Sequence, residues 1–302
     1  MIVEKATNLK NWTILFRLGN NIIGIIGVFL GAIMALEYIP TGKILNITIL
    51  QAVSVFCFMA SWNALNDYLD YEIDKLNRPE KPLPSGSISL KNAKNGIILM
   101  MGVSLLSMVF AAYVASTTAN GIIEWWPSII IWILAVLLLI NYESSSKYSL
   151  NLKNRGLPGN VAISASVAMV VLLGAAGAFQ LTNIRVISVA IIGFLYNLSR
   201  EIVKDVQDME GDKGRNTLAM KIGPEKTRVI AYIISLVTLI SIIMPFALDI
   251  FESMYLIVNI PAIFLLLRVK TKLALGHDFH AQQLLKKSLY LGMLGFLIIS
   301  LI

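Results

Sequence analysis

The sequence predicts an all-α integral membrane protein with about nine transmembrane helices, on three observations. Of its 302 residues, 57% are hydrophobic and only 14% charged, with a mean hydropathy of +0.74. A soluble domain would be roughly a quarter charged. Apolar stretches of about 17–25 residues, the length that crosses a bilayer, recur along the whole chain. The Lys and Arg residues gather in alternate connecting segments, as the positive-inside rule requires of a multi-pass protein.

Taken in order, the spans cover residues 14–36, 44–66, 95–116, 122–141, 161–179, 184–203, 229–248, 253–269 and 284–302. The first is too long for the core of a signal peptide and lacks a small-residue cleavage site, so it is a retained span. The second carries Cys57, the sole cysteine, which rules out an intrachain disulfide and leaves no basis for a thiolate metal site. The third and fourth rest on length and apolarity alone. The fifth ends in the small-residue run "GAAGAF", 174–179, which suits close helix packing. The sixth leads into an acidic loop. Pro245 and Pro261 fall in the seventh and eighth, where proline bends a helix. The ninth closes the chain.

Placing the segment before helix 1 and the 2/3, 4/5, 6/7 and 8/9 connections on one side gives that side all of the 25 Lys and Arg except Lys43 and Arg185. The opposite loops carry mainly Glu37, Glu124, Asp249 and Glu252. This places the N-terminus in the cytoplasm, the C-terminus outside and the protein in the cell membrane. The net charge of +7 therefore reflects topology and anionic lipid. With the basic residues spread over five loops, nucleic acid is excluded as a partner, and nothing implies a protein partner.

Two cytoplasmic loops hold most of the acids. In "NALNDYLDYEIDKLNRPEKPLPSG", 63–86, Asp67, Asp70 and Asp74 are spaced i, i+3, i+7, which puts them within about 60° of one another on a helix. Asn63 lies on that face and Asn66 at its margin. In "NLSREIVKDVQDMEGDKGRNT", 197–217, Asp205, Asp208 and Asp212 repeat the spacing 138 residues later, with Glu201 and Asn197 continuing the face. Both triplets close with Asp-Lys, and basic residues follow each. The chain thus reads as one transmembrane domain over 1–302, built from pseudo-repeated halves, about 14–141 and 161–269, plus a last helix.

Acids at a helix end are ordinarily a solvated cap. Two facing clusters of aspartates, however, repel strongly at the reduced dielectric of a membrane cleft unless a multivalent cation sits between them. Oxygen ligands without His or Cys select hard cations, Mg²⁺ above all beside a phosphate. Arg78, Lys81, Lys204, Lys213 and Arg215 offset most of the remaining charge of a diphosphate held by about two Mg²⁺ ions. Mg²⁺ would stabilise charge developing on a diphosphate leaving group, and an allylic lipid diphosphate can ionise in this way to a carbocation. Trp62, Tyr68, Tyr71, Phe194 and Tyr196 lie near the motifs, either facing such a cation or as interfacial aromatics. His277 and His280 in "GHDFH" lack a third ligand and read as a solvated loop.

These motifs resemble those of the UbiA superfamily of intramembrane prenyltransferases. Its first signature is Asn-Asp-x-x-Asp-x-x-x-Asp followed by Arg-Pro-x-Arg-Pro-x-x-Ser-Gly. Asn66, Asp67, Asp70, Asp74, Arg78, Pro79, Pro82, Ser85 and Gly86 match it, with Lys81 where Arg is usual. Asp208 and Asp212 match the second signature, Asp-x-x-x-Asp, with Asp205 added. "LFRLGN" is similar to the helix-1 Arg-Pro-x-Asn through Arg17 and Asn20, with Leu18 for the proline. "YSLNLKNRGLPGN" is similar to the helix-4/5 connection, with Tyr148 and Lys153 five apart rather than four.

The resemblance implies a ring of helices around a lipid-open central cavity, capped on the cytoplasmic side by the loops after helices 2 and 6. It implies Mg²⁺-dependent transfer of an isoprenyl group from its diphosphate to an acceptor, with Asp67, Asp70, Asp74, Asp208 and Asp212 catalytic. The run "REIVKDVQDMEGDKGRNTLA" is most similar to the archaeal branch that joins geranylgeranyl diphosphate to the sn-2 hydroxyl of geranylgeranylglyceryl phosphate. Lys147, Lys153 and Arg155 are then candidates for the acceptor's own phosphate, or plain positive-inside residues. Members prenylating quinone, chlorin or haem acceptors are the alternative. A transporter is more remote, since its acids normally lie near mid-membrane.

Overall fold

A computed structural model describes residues 2–143, 149–209, 211 and 216–302, and their regular structure is entirely helical. The chain falls into two units, residues 1–29 with 41–126 and residues 30–40 with 127–302.

The first unit contains α1 (Ile2–Leu15), the start of α2 (Leu18–Leu36), α3 (Gly42–Leu69), α4 (Tyr71–Asn77), α5 (Leu90–Ser116) and the start of α6 (Gly121–Glu143). The first apolar stretch was expected to begin at residue 14. Instead Arg17, at φ 50°, sits in the left-handed region and separates α1 from α2. α3 packs along α5, and the hydroxyls between them are satisfied: Ser54 and Ser104 hydrogen-bond at 2.9 Å, and Ser61 donates to the Ile97 carbonyl at 2.9 Å. Below α3, Leu15, Ala64, Leu83, Ile88 and Ala93 form a buried cluster that Trp12, Phe16, Tyr68 and Tyr71 cover. That cluster seats the 79–89 loop, and Ser89 caps α5 by accepting from the Asn92 N–H.

The second unit holds the end of α2, the rest of α6, α7 (Leu157–Gly177), α8 (Ile184–Gln207), α9 (Leu218–Ile222) and α10 (Pro224–Ala247). A 3₁₀ turn over Ser253–Asn259 then leads into α11 (Ile260–Leu267), α12 (Val269–Ala274) and α13 (Asp278–Ile299). α7, α10 and α13 all pack on α8. The buried Tyr196 hydroxyl bonds Ser288 at 2.7 Å, and Ser288 donates to the Ala262 carbonyl at 2.6 Å, tying α8, α13 and α11 together.

Among the described residues, eight helical segments are long and apolar enough to cross a membrane, among them Ser253–Ala274. The expected ninth span falls on α13, whose first turns carry Asp278, His280, Gln282, Gln283, Lys286 and Lys287, and which is not among the eight.

At Gly31 the backbones of α2 and α7 pack closely. A Cβ at Gly31 would lie 1.9 Å from the Val171 carbonyl oxygen and 3.2 Å from the Ala175 nitrogen, both backbone atoms that cannot turn aside. Gly31→Leu is expected to cut the yield of monodisperse protein severely, whereas Gly102→Ala, with nothing within 4 Å, leaves it unchanged. Size-exclusion profiles in detergent compare the two.

Candidate active site

The first aspartate cluster follows from how α3 ends. The i→i−4 ladder continues through the junction: Asp70 N–H bonds the Asn66 carbonyl at 3.0 Å, and Asp74 N–H bonds the Asp70 carbonyl at 2.8 Å. The three aspartates therefore keep helical spacing across the α3–α4 junction. Asp67 and Asp74 are 4% and 6% exposed, and a buried carboxylate persists only when paired. Lys81 supplies the pairing, its Nζ lying 3.1 Å from Asp67 Oδ1 and 2.7 Å from Asp74 Oδ2. Arg17 Nη2 donates to the same Asp67 Oδ1 at 2.8 Å.

The loop that returns Lys81 is fixed by its own backbone. Ser85 N–H bonds the Lys81 carbonyl, Ile88 N–H bonds the Pro82 carbonyl, and Gly86 takes φ 73°, which its missing Cβ permits. Arg78 caps the end of α4 and is exposed. The Arg17 turn is held by Asn21 and Asn63. Asn21 Nδ2 donates to the Phe16 carbonyl at 2.9 Å, and Asn63 Nδ2 donates to Asn21 Oδ1 at 3.1 Å and to the Phe16 carbonyl at 3.3 Å. Asn63, expected among metal ligands, thus points its amide at this turn. The asparagine that organises the turn is the buried Asn21, while Asn20 is exposed.

The second cluster lies at the end of α8. Asp208 caps that helix, its N–H bonding the Lys204 carbonyl. Asp205 Oδ2 accepts from Asn160 Nδ2 at 3.0 Å and from the Leu218 N–H at 3.2 Å, so it pins the starts of α7 and α9 to α8. Lys204 donates to Glu201 Oε2 at 3.0 Å, and Arg200 Nη1 donates to Glu201 Oε1 at 2.6 Å. Asp212, Lys213 and Arg215 lie outside the described residues, as do Lys147 and Tyr148. Lys153, a candidate either for an acceptor phosphate or as a plain positive-inside residue, donates to the Glu143 carboxylate at 2.9 Å. Arg155 is exposed, and its carbonyl accepts from Lys221 Nζ at 3.2 Å.

Among the described residues, no three His, Cys, Asp or Glu side chains already converge on a metal position. The donor set is nevertheless suited to Mg²⁺. Asp67 and Asp74 offer carboxylate oxygens to one cationic centre, now the Lys81 ammonium, and no soft ligand joins them. Sequence reasoning missed Asn21, Asn160 and Arg200. The signal for the first two was a polar residue at the start of an apolar helix.

The UbiA prenyltransferase family model matches residues 24–289. The chain belongs to the UbiA prenyltransferase family. It is therefore a multi-pass membrane protein and a prenyltransferase by family. The digeranylgeranylglyceryl phosphate synthase of Thermococcus gammatolerans is 33% identical over 287 residues, 92% of this chain and 93% of the relative. That of Haloquadratum walsbyi is 31% identical, covering 94% and 92%. A solved structure of a digeranylgeranylglyceryl phosphate synthase superposes with a TM-score of 0.73 at 26% identity, covering 97% of this chain and 99% of that one. The UbiA homologue of Archaeoglobus fulgidus bound to GPP and Mg²⁺ shares the fold, with a TM-score of 0.63 at 17% identity over 97% and 100% of the chains.

Proposed function

We propose that this UbiA-family protein transfers the geranylgeranyl group of geranylgeranyl diphosphate to the sn-2 hydroxyl of geranylgeranylglyceryl phosphate. The observation that carries the reading is the pair of buried carboxylates, Asp67 and Asp74, sharing the Lys81 ammonium, in a chain matched nearly end to end by digeranylgeranylglyceryl phosphate synthases. Asp67, Asp70 and Asp74, with Asp208 and Asp212, would hold about two Mg²⁺ ions, which when bound neutralise charge building on the diphosphate as it leaves.

Lys81 and the exposed Arg78 supply cations for diphosphate oxygens, and Arg17 keeps Asp67 oriented. The allylic C–O bond breaks with both electrons going to the diphosphate. The acceptor oxygen then bonds to that carbon and loses its proton. The basic loops face the cytoplasm, and α13 makes a ninth crossing that leaves the C-terminus outside, a reading its 22-residue length supports.

The test uses purified protein in lipid with geranylgeranyl diphosphate and a panel of acceptors: the glyceryl phosphate ether, 4-hydroxybenzoate, dihydroxynaphthoate and haem. Turnover is expected with the first alone and is expected to vanish on chelation, returning with Mg²⁺. Transfer to an aromatic acceptor would overturn the acceptor assignment, and full activity in chelator would overturn the metal.

A further inference from the structure

The break between α1 and α2 is costly to hold. Arg17 sits at φ 50°, a left-handed conformation that a residue with a Cβ adopts at a free-energy cost. The break also orphans a backbone acceptor. In a continuous helix the Asn20 N–H would bond the Phe16 carbonyl four residues back, but it bonds the Arg17 carbonyl instead, at 2.8 Å. Two side-chain amides take the freed Phe16 carbonyl, Asn21 Nδ2 at 2.9 Å and Asn63 Nδ2 at 3.3 Å. They are joined to each other, Asn63 Nδ2 donating to Asn21 Oδ1 at 3.1 Å. Asn21 is 0% exposed, and a buried amide is retained at no cost only when its polar atoms are bonded. Asn63 precedes Asp67 by four residues on α3, so the two side chains stand on adjacent turns of one face. The clasp therefore ties the Phe16–Arg17 turn to the stretch of α3 that carries Asp67, where Arg17 Nη2 meets Asp67 Oδ1 at 2.8 Å.

We propose that Asn21 and Asn63 are positioning residues for the metal site: they hold Arg17 on Asp67 Oδ1 and so reserve Asp67 Oδ2 for a divalent cation. The inference rests on the metal role proposed above for Asp67. Lys81 bonds the same Oδ1 at 3.1 Å, and among the described residues no hydrogen bond reaches Oδ2. Lys81 is shared with Asp74, whereas Arg17 bonds Asp67 alone. With Lys81 drawn to a diphosphate, Arg17 would be the cation left to orient this carboxylate. Groups that orient a ligand in this way set metal affinity without touching the metal. Asn63 then acts through Arg17 rather than as a ligand, which agrees with the direction of its amide.

The experiment titrates Mg²⁺ into purified wild type, Asn21→Leu, Asn63→Ala, Arg17→Gln and the two double variants that add Arg17→Gln to each asparagine change. Two midpoints are read in lipid: that of turnover with geranylgeranyl diphosphate and the glyceryl phosphate ether, and that of the rise in melting temperature without substrate. Each asparagine variant is expected to raise both midpoints about 10-fold, the lower end of what losing such an orienting group costs in metal affinity. At saturating Mg²⁺, kcat is expected to stay within about threefold of the wild type. Arg17→Gln is expected to raise the midpoints similarly, and either asparagine change made on top of it to raise them no further, as for residues acting through one contact. A merely structural clasp would lower the melting temperature in chelator and leave the midpoints where they were, which would overturn the assignment. Shifts that multiply with that of Arg17→Gln would overturn it too, and for Asn63 would return that residue to the metal ligands. If the fully buried Asn21→Leu does not fold, Asn63→Ala, at a half-buried position, carries the same cycle. A wild type in which Mg²⁺ moves neither turnover nor melting would defeat the metal site proposed above, and this inference with it. A responsive wild type with unshifted asparagine variants would defeat this inference alone.

Discussion

Asp208→Ala is expected to lower prenyl transfer by at least about 10²–10³-fold while leaving the amount of folded protein and its melting temperature unchanged. The size follows from the role proposed for Asp208, a metal ligand through which charge on the leaving diphosphate would be stabilised. The intact fold follows from its position. Asp208 caps the C-terminal end of α8, where the helix dipole disfavours a negative charge, so removing that charge relieves repulsion. Asp205, three residues earlier, is expected to behave in the opposite way. Its Oδ2 holds Asn160 and the Leu218 N–H, and Asp205→Ala leaves two buried donors unmatched. That variant is expected to melt lower by several degrees, with its remaining activity tracking the folded fraction. Turnover measured beside thermal unfolding in the same lipid separates the two. Equal behaviour of both variants would place Asp205 among the metal ligands or remove Asp208 from them.

The contrast shows where the sequence was legible. Helical positions of the spans followed from apolar length, since the bilayer leaves backbone polar groups no other way to be satisfied. Residues 44–66 were expected and Gly42–Leu69 formed; residues 184–203 were expected and Ile184–Gln207 formed. The break at Arg17 was not legible, because a left-handed residue inside an apolar run leaves no mark on hydropathy. The aspartates announced themselves by spacing, but spacing alone gave Asp205 and Asp208 the same standing. The contacts with Asn160, 45 residues away, and with the Leu218 N–H distinguish them. Asn20 was picked because it fits the Arg-Pro-x-Asn pattern that "LFRLGN" resembles, and Asn21 is the residue turned inward to the Phe16 carbonyl and Asn63. Lys81 was identified by type, as a cation beside a diphosphate, but its present partners are the carboxylates themselves.

That last point makes Lys81→Gln the most informative change in the first unit. Its ammonium is the shared counter-ion of Asp67 and Asp74, and its side chain is 18% exposed. Breaking a buried pair by removing one partner costs about 3–5 kcal/mol; the partial exposure of Lys81 and the Arg17 contact to Asp67 reduce this to about 2–3 kcal/mol. The metal-free variant is therefore expected to melt about 5–10 °C below the wild type. Mg²⁺ should restore most of the difference, because a divalent ion bound between the two carboxylates replaces the lost charge, and ligand at about 100 times its Kd contributes about 2.7 kcal/mol. The wild type, already holding Lys81 there, should gain less from the same Mg²⁺. In catalysis the sign reverses. Under the proposed function, Asp67 and Asp74 would hold the metal and Lys81 would be free for the diphosphate, so the variant should show a KM for geranylgeranyl diphosphate about 10–100-fold higher even at saturating Mg²⁺. A variant that melts with the wild type in both chelator and Mg²⁺ would show that Lys81 does not hold the place of the metal. One that recovers stability with Mg²⁺ yet keeps wild-type KM would separate the two roles and leave the diphosphate to Arg78.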